Sequence, residues 1–338
     1  MAFMANANTV SSWAVGAAGG NREDLLDIIT NISPAETPFL SSFGKSAAKA
    51  ISHDWLLDVL TSFGDPANGN SDVQATPESY DATFALPTNP KRLYNNTHIL
   101  RVTLDVSETQ RKVNAAGRVD DFAYHLDKKA KELSRFIEFA GIHSEKADQA
   151  VVGNAQGSPI TARKMCGVMQ MNGDDPCGTS LTSAYEGTIT DPSGSPYTRL
   201  TEAIYNDHLA SVWDKGGEPD HTYVNSVQKR EISGFGDGIR RRTIALDARR
   251  LVNTIDVYDS DFGMQVVMLH RYLNKRHVLT LQRDKWQFAF LRPVVFTPLA
   301  KVGNSDKAMI EGELTLECRA PASGGYITNL SNVYGSVA

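Results

Sequence analysis

Hydrophobic side chains recur every three or four positions over residues 118–143, and this spacing predicts one long helix. Asp127 precedes Lys131 by four positions, the favourable order for an ion pair on the solvent side. At 1.5 Å per residue the helix would be about 35–40 Å long. Its apolar stripe consists of Val119, Phe122, Ala123, Leu126, Ala130, Leu133, Phe136, Ile137 and Ala140.

Apolar side chains that recur at every second position predict strands elsewhere in the chain. Residues 100–106 alternate between apolar and polar side chains, and residues 314–318 do the same, as in a strand with one face buried. We expect Leu126, Leu133 and Phe136 of the long helix to face this closing strand. Shorter apolar runs predict further strands at 222–224, 255–258, 264–269, 277–281 and 326–330.

Four shorter stretches have helical patterns. The first begins at Asn21, carries Leu25, Leu26, Ile28, Ile29 and Ile32 on one face, and stops before Pro34. The others are a short helix between Thr37 and Gly44 and helices at 198–213 and 226–232. Because helices and strands mix without regular β-α-β alternation, the pattern favours the α+β class.

Two segments rich in Gly, Ser, Asn and Asp interrupt this pattern. Residues 51–63 resemble a strand, and a loop from Gly64 to Pro90 separates them from the strand at 100–106. We expect these two strands to form one long two-stranded excursion with the loop at its tip. Residues 145–197 are predicted to be irregular and resemble an insertion.

The amino-acid composition and net charge exclude some classes of function. The chain has 338 residues with a net charge of −5, which argues against nucleic-acid binding driven by clustered Lys and Arg. Neither a signal peptide nor a membrane span is visible, so no membrane partner is expected. The three cysteines, Cys166, Cys177 and Cys318, form no C-x-x-C pair, which favours free thiols in a reducing cytoplasm.

Catalytic motifs are sparse. Asp261-Phe262-Gly263 spells a kinase tripeptide without the rest of the kinase signature, and the eight histidines form no H-E-x-x-H motif. We therefore expect a protein that is not an enzyme, with no catalytic, cofactor-binding or metal-binding residues. One enzymatic alternative stays open, a hydrolase that uses Asp259, Asp261 and His270.

Several stretches, in order along most of the chain from residue 21, resemble one family of tailed-bacteriophage major capsid proteins. The first is Asn21–Gly44, which contains the family's I-x-P-x-x-T-P-F-L turn. The others are His53–Leu56, Ala116–Arg118 with Lys128–Ala140, Val224–Ser233, Ile255–Gly263, and Trp286 with Leu291–Pro293 and the closing E-G-E-L-T-L-E strand.

The resemblance implies the Hong Kong 97-type capsid fold and an icosahedral phage head that encloses packaged double-stranded DNA. It implies a virion protein assembled in the bacterial host cytoplasm. Its partners would be its own copies in hexamers and pentamers, a portal protein, and separate scaffolding or decoration proteins, with non-specific proximity to DNA. The implied parts are an N-terminal arm (1–50), an extended loop (51–107), a peripheral domain (108–214 and 293–338) with spine helix 118–143, and an axial domain (215–292).

A second structural alternative is an encapsulin-like compartment shell, which shares the fold but encloses cargo enzymes. Whether purified shells contain packaged DNA or packaged protein separates the two shell hypotheses. A compact monomer would favour the hydrolase.

Overall fold

The computed structural model describes twelve stretches of the chain. The helix predicted at 21–32, most of the loop 64–90, the glycine-rich stretch after Phe235 and the arginines between 240 and 250 lie outside them. The described residues are 36–58, 78–79, 81, 89–113, 120–148, 150–151, 160–173, 176–178, 185–192, 197–235, 256–301 and 303–334.

Helices and strands are mixed along the chain, as the α+β prediction requires. The helices are α1 (Pro38–Ser42), α2 (Glu108–Lys112), α3 (Asp121–His143), α4 (Val168–Met171), α5 (Glu202–Asp214) and α6 (Ser226–Ser233). The strands are β1 (Gly44–Ala47), β2 (Ser52–Leu57), β3 (Lys91–Asn96), β4 (His98–Ser107), β5 (Ala150–Val151), β6 (Ile160–Thr161), β7 (Thr188–Thr190), β8 (His221–Val224), β9 (Val257–Ser260), β10 (Gly263–Leu269), β11 (Val278–Leu281), β12 (Trp286–Leu299), β13 (Ser305–Cys318) and β14 (Gly325–Ile327).

The long helix α3 lies on a four-stranded sheet of order β1-β12-β13-β4. The Asp120 side chain caps α3 by accepting from the Phe122 amide at 3.0 Å. Leu133 is buried in the same core cluster as Leu314 and Leu316, and Leu126 packs against that cluster. The predicted orientation of the helix is confirmed for Leu126 and Leu133.

Phe136 was assigned to the wrong face. Its side chain is exposed, whereas Ile137 and Ala140 are buried. On a helix with 100° between residues, Phe136 lies at the margin of the sector that faces the sheet. The apolar stripe of the sequence is therefore wider than the surface that the sheet covers.

The predicted two-stranded excursion pairs the wrong strands. β2 pairs antiparallel with β3, from Ser52 opposite Asn96 to Leu57 opposite Lys91. β4 instead pairs with β13 over ten positions and completes the four-stranded sheet. Alternation within residues 100–106 predicts a strand but contains no information about its partner.

A second sheet of six strands has the order β7-β14-β11-β8-β10-β9. Helix α5 packs on it through Tyr205 and Leu209, which belong to a second apolar cluster with Val224 and Val278. The predicted strands at 222–224, 255–258, 264–269 and 277–281 all occur in this sheet, each within two residues of its expected bounds. β7 comes from the segment that was predicted to be irregular, as does α4.

A fully buried histidine joins α5 to this sheet. His208 lies 2.7 Å from the Thr190 hydroxyl through Nδ1 and 2.8 Å from the Thr280 hydroxyl through Nε2. Burial lowers the pKa of His208 to about 3, so the ring is neutral in the folded protein at neutral pH.

We expect His208 to make the subunit sensitive to acid. Between about pH 6.5 and pH 3 the unfolded chain binds one more proton at this residue than the folded chain, so stability falls as the pH falls. The contribution is about 1.4 kcal/mol per pH unit. Denaturant unfolding of His208→Gln across this range should show a shallower pH dependence. An unchanged slope would contradict this assignment.

Candidate assembly surfaces

The outer half of the β12–β13 hairpin exposes an unusual amount of apolar surface. Val295 and Phe296 are 51% and 43% exposed, and Val294 and Leu299 are exposed beside them. We call these four residues the hairpin patch. Successive residues of a strand point to opposite faces, so these apolar side chains are exposed on both faces of β12. Large exposed apolar side chains grouped in this way mark interaction surfaces. The hairpin patch therefore has the character of a surface that a partner covers.

The strand that carries the patch is protected against indiscriminate pairing. β1 pairs with β12 only from Gln287 to Phe290, so beyond Phe290 the outer side of β12 has no paired strand among the described residues. Pro293 and Pro298 lie in this outer half and have no amide hydrogen to donate. Proline on an edge strand discourages uncontrolled strand addition. Contacts through side chains are therefore favoured over sheet extension.

The sequence did not point to the hairpin patch, although one signal was available. Arg292-Pro293-Val294-Val295-Phe296-Thr297-Pro298 is an apolar run between two prolines, and it was not among the predicted strands. Such a run is compatible with a strand only at a sheet edge. An edge position would have indicated a strand with one side unpaired.

Three glutamates of β13 bind side chains of neighbouring segments, and one of them, Glu317, binds the β2–β3 ribbon. Glu313 accepts from Thr97 Oγ1 at 2.7 Å and from Arg292 Nε at 2.9 Å, and it also pairs with Arg163. Glu317 accepts from His53 Nε2 at 3.1 Å. The third, Glu311, pairs with Arg101 at 2.6 Å and Arg292 at 2.9 Å.

The expectation of a half-buried closing strand is therefore wrong, because both of its faces are covered. Glu313, Thr315 and Glu317 are buried beside the leucines. Burial alone would raise the pKa of Glu313, but the hydrogen bonds from Thr97, Arg292 and Arg163 outweigh it and lower the pKa. The charged glutamate is thus retained in a covered position by its partners.

A disulfide bond lies beneath the base of the ribbon. Cys166 and Cys177 are bridged, with their Cα atoms 5.6 Å apart, whereas Cys318 is a buried free thiol. The Asn95 side chain of β3 accepts from the Cys166 amide at 2.7 Å and donates to the Leu316 carbonyl at 2.7 Å. The expectation of three free thiols is wrong for two of them, because the fold brings together cysteines that form no local motif.

Reduction should therefore destabilise the oxidised subunit. Closing a loop with a sequence separation of 11 residues stabilises a fold by about 3 kcal/mol in the chain-entropy treatment. We expect a reductant to lower the denaturation midpoint of the wild-type subunit and to leave that of a Cys177→Ala variant unchanged. Equal midpoints for the wild type with and without reductant would contradict the structural role of this bond.

A buried carboxylate fastens the start of the described chain to α3. Glu138 accepts from the amides of Phe39 and Leu40 at 2.8 and 2.9 Å, and from His270 Nε2 at 2.7 Å. Pro38 occupies the first position of α1, so these two amides are the next donors of the helix that need an acceptor. We call this group, made of Phe39, Leu40, Glu138 and His270, the arm clamp.

Aromatic packing completes the arm clamp. The Phe39 ring lies 4.8 Å from the His270 ring and 4.6 Å from the Tyr223 ring, edge to face with the latter. Phe39 and Glu138 are both fully buried. The T-P-F-L turn of the sequence is therefore a fixed anchor between the segment before it and the body of the subunit.

The three residues of the hydrolase alternative do not converge. Asp259 is exposed and pairs with Met264 near the start of β10. His270 follows the other end of β10, about 20 Å away at 3.3 Å per residue, and is buried in the arm clamp. Asp261 is exposed in the turn between β9 and β10.

The described residues also lack a cluster of metal-ligating side chains. They contain no group of three or more His, Cys, Asp or Glu side chains arranged to hold a metal ion. None of the helices in the described part of the chain has the length and hydrophobicity that a membrane span requires.

Comparison with known proteins decides between the remaining classes. The SU10 major capsid protein family matches residues 6–331, almost the whole chain. The chain belongs to this family of phage major capsid proteins. It is a capsid protein of the virion that associates with its own copies to form the shell.

Relatives of known identity agree with this assignment. The major capsid protein of Escherichia phage Phieco32 is 25% identical over 338 residues, which covers 91% of this chain and 94% of that protein. The capsid subunit of an empty GTA particle superimposes with a TM-score of 0.61 at 11% identity, covering 95% of this chain and 99% of that one. These capsid neighbours confirm the Hong Kong 97-type fold.

The fold alone does not exclude the encapsulin alternative. The encapsulin of the holo-SrpI complex from Synechococcus elongatus PCC 7942 superimposes with a TM-score of 0.54 at 9% identity, covering 94% of this chain and 95% of that one. Such a similarity concerns architecture only. The family match, which extends through nearly the whole capsid protein sequence, favours the phage shell.

Proposed function

We propose that the chain is a purely structural shell subunit without catalytic activity, and that the hairpin patch is one of its contacts with neighbouring subunits. Assembly takes place in the bacterial host cytoplasm and produces hexamers and pentamers around double-stranded DNA, which the shell encloses without sequence-specific binding. A portal protein and separate scaffolding or decoration proteins complete the head. The single observation that carries the structural role is the exposure of the hairpin patch.

The hairpin patch fits a subunit contact better than a ligand site. Its four large apolar side chains lie on the part of β12 that pairs with β13 but extends beyond the end of β1, and both faces of β12 are exposed there. An open surface of this kind buries little of a small molecule, whereas protein interfaces have apolar centres of this type. A neighbouring copy is the partner that a shell supplies at every such position.

The two sheets support a division into a peripheral and an axial domain, with adjusted boundaries. We propose that the four-stranded sheet and α3 form the peripheral domain, and that the six-stranded sheet with α5 and α6 forms the axial domain. Residues 188–214 and 325–327 then belong to the axial rather than the peripheral domain, because β7, α5 and β14 belong to the six-stranded sheet or pack on it. The boundary expected after Arg292 moves to before Trp286, where β12 begins.

Substitution of Phe296 tests the contact. Phe296→Asp places a charge in the hairpin patch, so we expect a subunit that folds normally but forms no closed shells when produced with the other head proteins of its phage. Phe296→Leu keeps the position apolar and should assemble. Electron microscopy and sedimentation measure assembly, and thermal unfolding of the free subunits verifies folding. Normal shells from Phe296→Asp would refute the role of the patch.

A further inference from the structure

The outer side of α3 carries two phenylalanines that the described structure leaves uncovered. Phe136 and Phe139 are 51% and 53% exposed, whereas Leu133, Ile137 and Ala140 of the same helix are buried. They are separated by three positions and therefore lie next to each other along one face. We call this pair the spine strip.

The described chain begins against the C-terminal half of α3, the part that carries the spine strip. The arm clamp holds Phe39 and Leu40 at Glu138, which lies about 100° around the helix from Phe139. Two residues before α1, Glu36 pairs with Arg271 at 3.1 Å.

The residue after Arg271 lies directly against this side of α3. The Tyr272 carbonyl accepts from His143 Nε2 at 2.7 Å, and the Tyr272 hydroxyl accepts from Arg135 Nε at 2.9 Å. The His143 ring in turn lies 4.9 Å from the Phe139 ring. Glu36, the first described residue, is therefore held near the side of α3 that carries the spine strip.

The segment that precedes this point has the pattern of a partner for an apolar helix face. Leu25, Ile28, Ile29 and Ile32 are spaced as i, i+3, i+4 and i+7, which is one face of a helix. Three residues separate Ile32 from Glu36, and an extended connection of that length spans about 13 Å. Packed helices have axes about 8–10 Å apart, so the connection is long enough.

We propose that residues 21–32 form a helix that packs on the spine strip of the same subunit. The spine strip is apolar and exposed, and the spacing of residues 25–32 predicts an apolar helix face. The short tether gives the segment a high effective concentration at α3, which favours the same chain over a second copy. The proposal concerns the free subunit as well as the shell and does not depend on the contacts of the hairpin patch.

Hydrogen exchange of the full-length, unassembled subunit tests the docking. We expect the amides of residues 25–32 to be protected, and Phe139→Asp to reduce that protection by about tenfold or more. Leu56→Asp is the matched control, since Leu56 is also an exposed apolar residue but lies on β2. This control should leave the protection unchanged.

A reciprocal measurement and a dilution series complete the test. Ile29→Asp should increase radical labelling of Phe136 and Phe139 several-fold, and dilution of the wild type should not alter protection. Absence of protection at 25–32, or protection that survives Phe139→Asp, would overturn the proposal. Protection that disappears on dilution would also overturn it, by identifying a second copy as the occupant.

Discussion

Replacing Glu138 with alanine is expected to lower the free energy of unfolding of the unassembled subunit by about 3–5 kcal/mol. The side chain is fully buried and accepts three hydrogen bonds, from Phe39, Leu40 and His270. Its removal leaves three donors without this acceptor, two of them in the buried residues Phe39 and His270. Because two of these donors belong to α1, the loss should also release the segment before α1 from the body of the subunit.

Glu132→Ala is the matched control for this change. Glu132 lies on the same helix but is partly exposed, and it pairs with Lys129 across three positions. Pairs of this kind contribute about 0.3–0.5 kcal/mol. Denaturant unfolding at pH 7 compares the two variants, and hydrogen exchange locates the released segment. Equal small effects from both substitutions would show that the arm clamp does not stabilise the fold.

Leu133→Ala is expected to lower the free energy of unfolding by about 2–5 kcal/mol. Leu133 is almost fully buried in the core between α3 and the four-stranded sheet. Truncation removes its contacts with that core and leaves a cavity where the helix meets the sheet. Free subunits must be used, because assembly adds stability that depends on protein concentration.

Lys131→Ala reports on the opposite face of the same helix. Its ammonium group pairs with Asp127 at 2.6 Å, and both side chains are well exposed. The cost should stay within about 0.5 kcal/mol. If Lys131→Ala proved the more damaging change, the orientation of α3 would be wrong.

Local patterns in the sequence predicted most of the elements. Alternation located β4 and the end of β13, and the spacing of Leu126, Leu133 and Ile137 located α3. These signals depend on neighbouring residues only, since a strand or helix displays its period in its own sequence. The mixed α and β class follows from them.

Pairing over long distances could not be predicted in the same way. No feature of residues 100–106 shows that β4 pairs with β13 two hundred residues later. The buried position of Glu138 was equally hidden, because its partners lie 99 and 132 residues away. A glutamate in a helix normally suggests exposure, and only the folded arrangement supplies the donors that compensate its burial.

The assembly surface was only partly visible in the sequence. Resemblance to a capsid family implied a shell, but it did not single out Val295 and Phe296 as exposed residues. Both residues lie beyond Phe290, where β1 ends, although β13 and β4 continue beside them. The same limitation applies to Cys166 and Cys177, which only the fold brings together.

A reconstruction of the phage head at side-chain resolution tests most directly whether this subunit joins its neighbours through the hairpin. We expect the chain to form the shell lattice, with Val295 and Phe296 buried against an adjacent subunit. A lattice in which both side chains remain exposed to solvent, with all subunit contacts made elsewhere, would contradict the proposed mode of assembly.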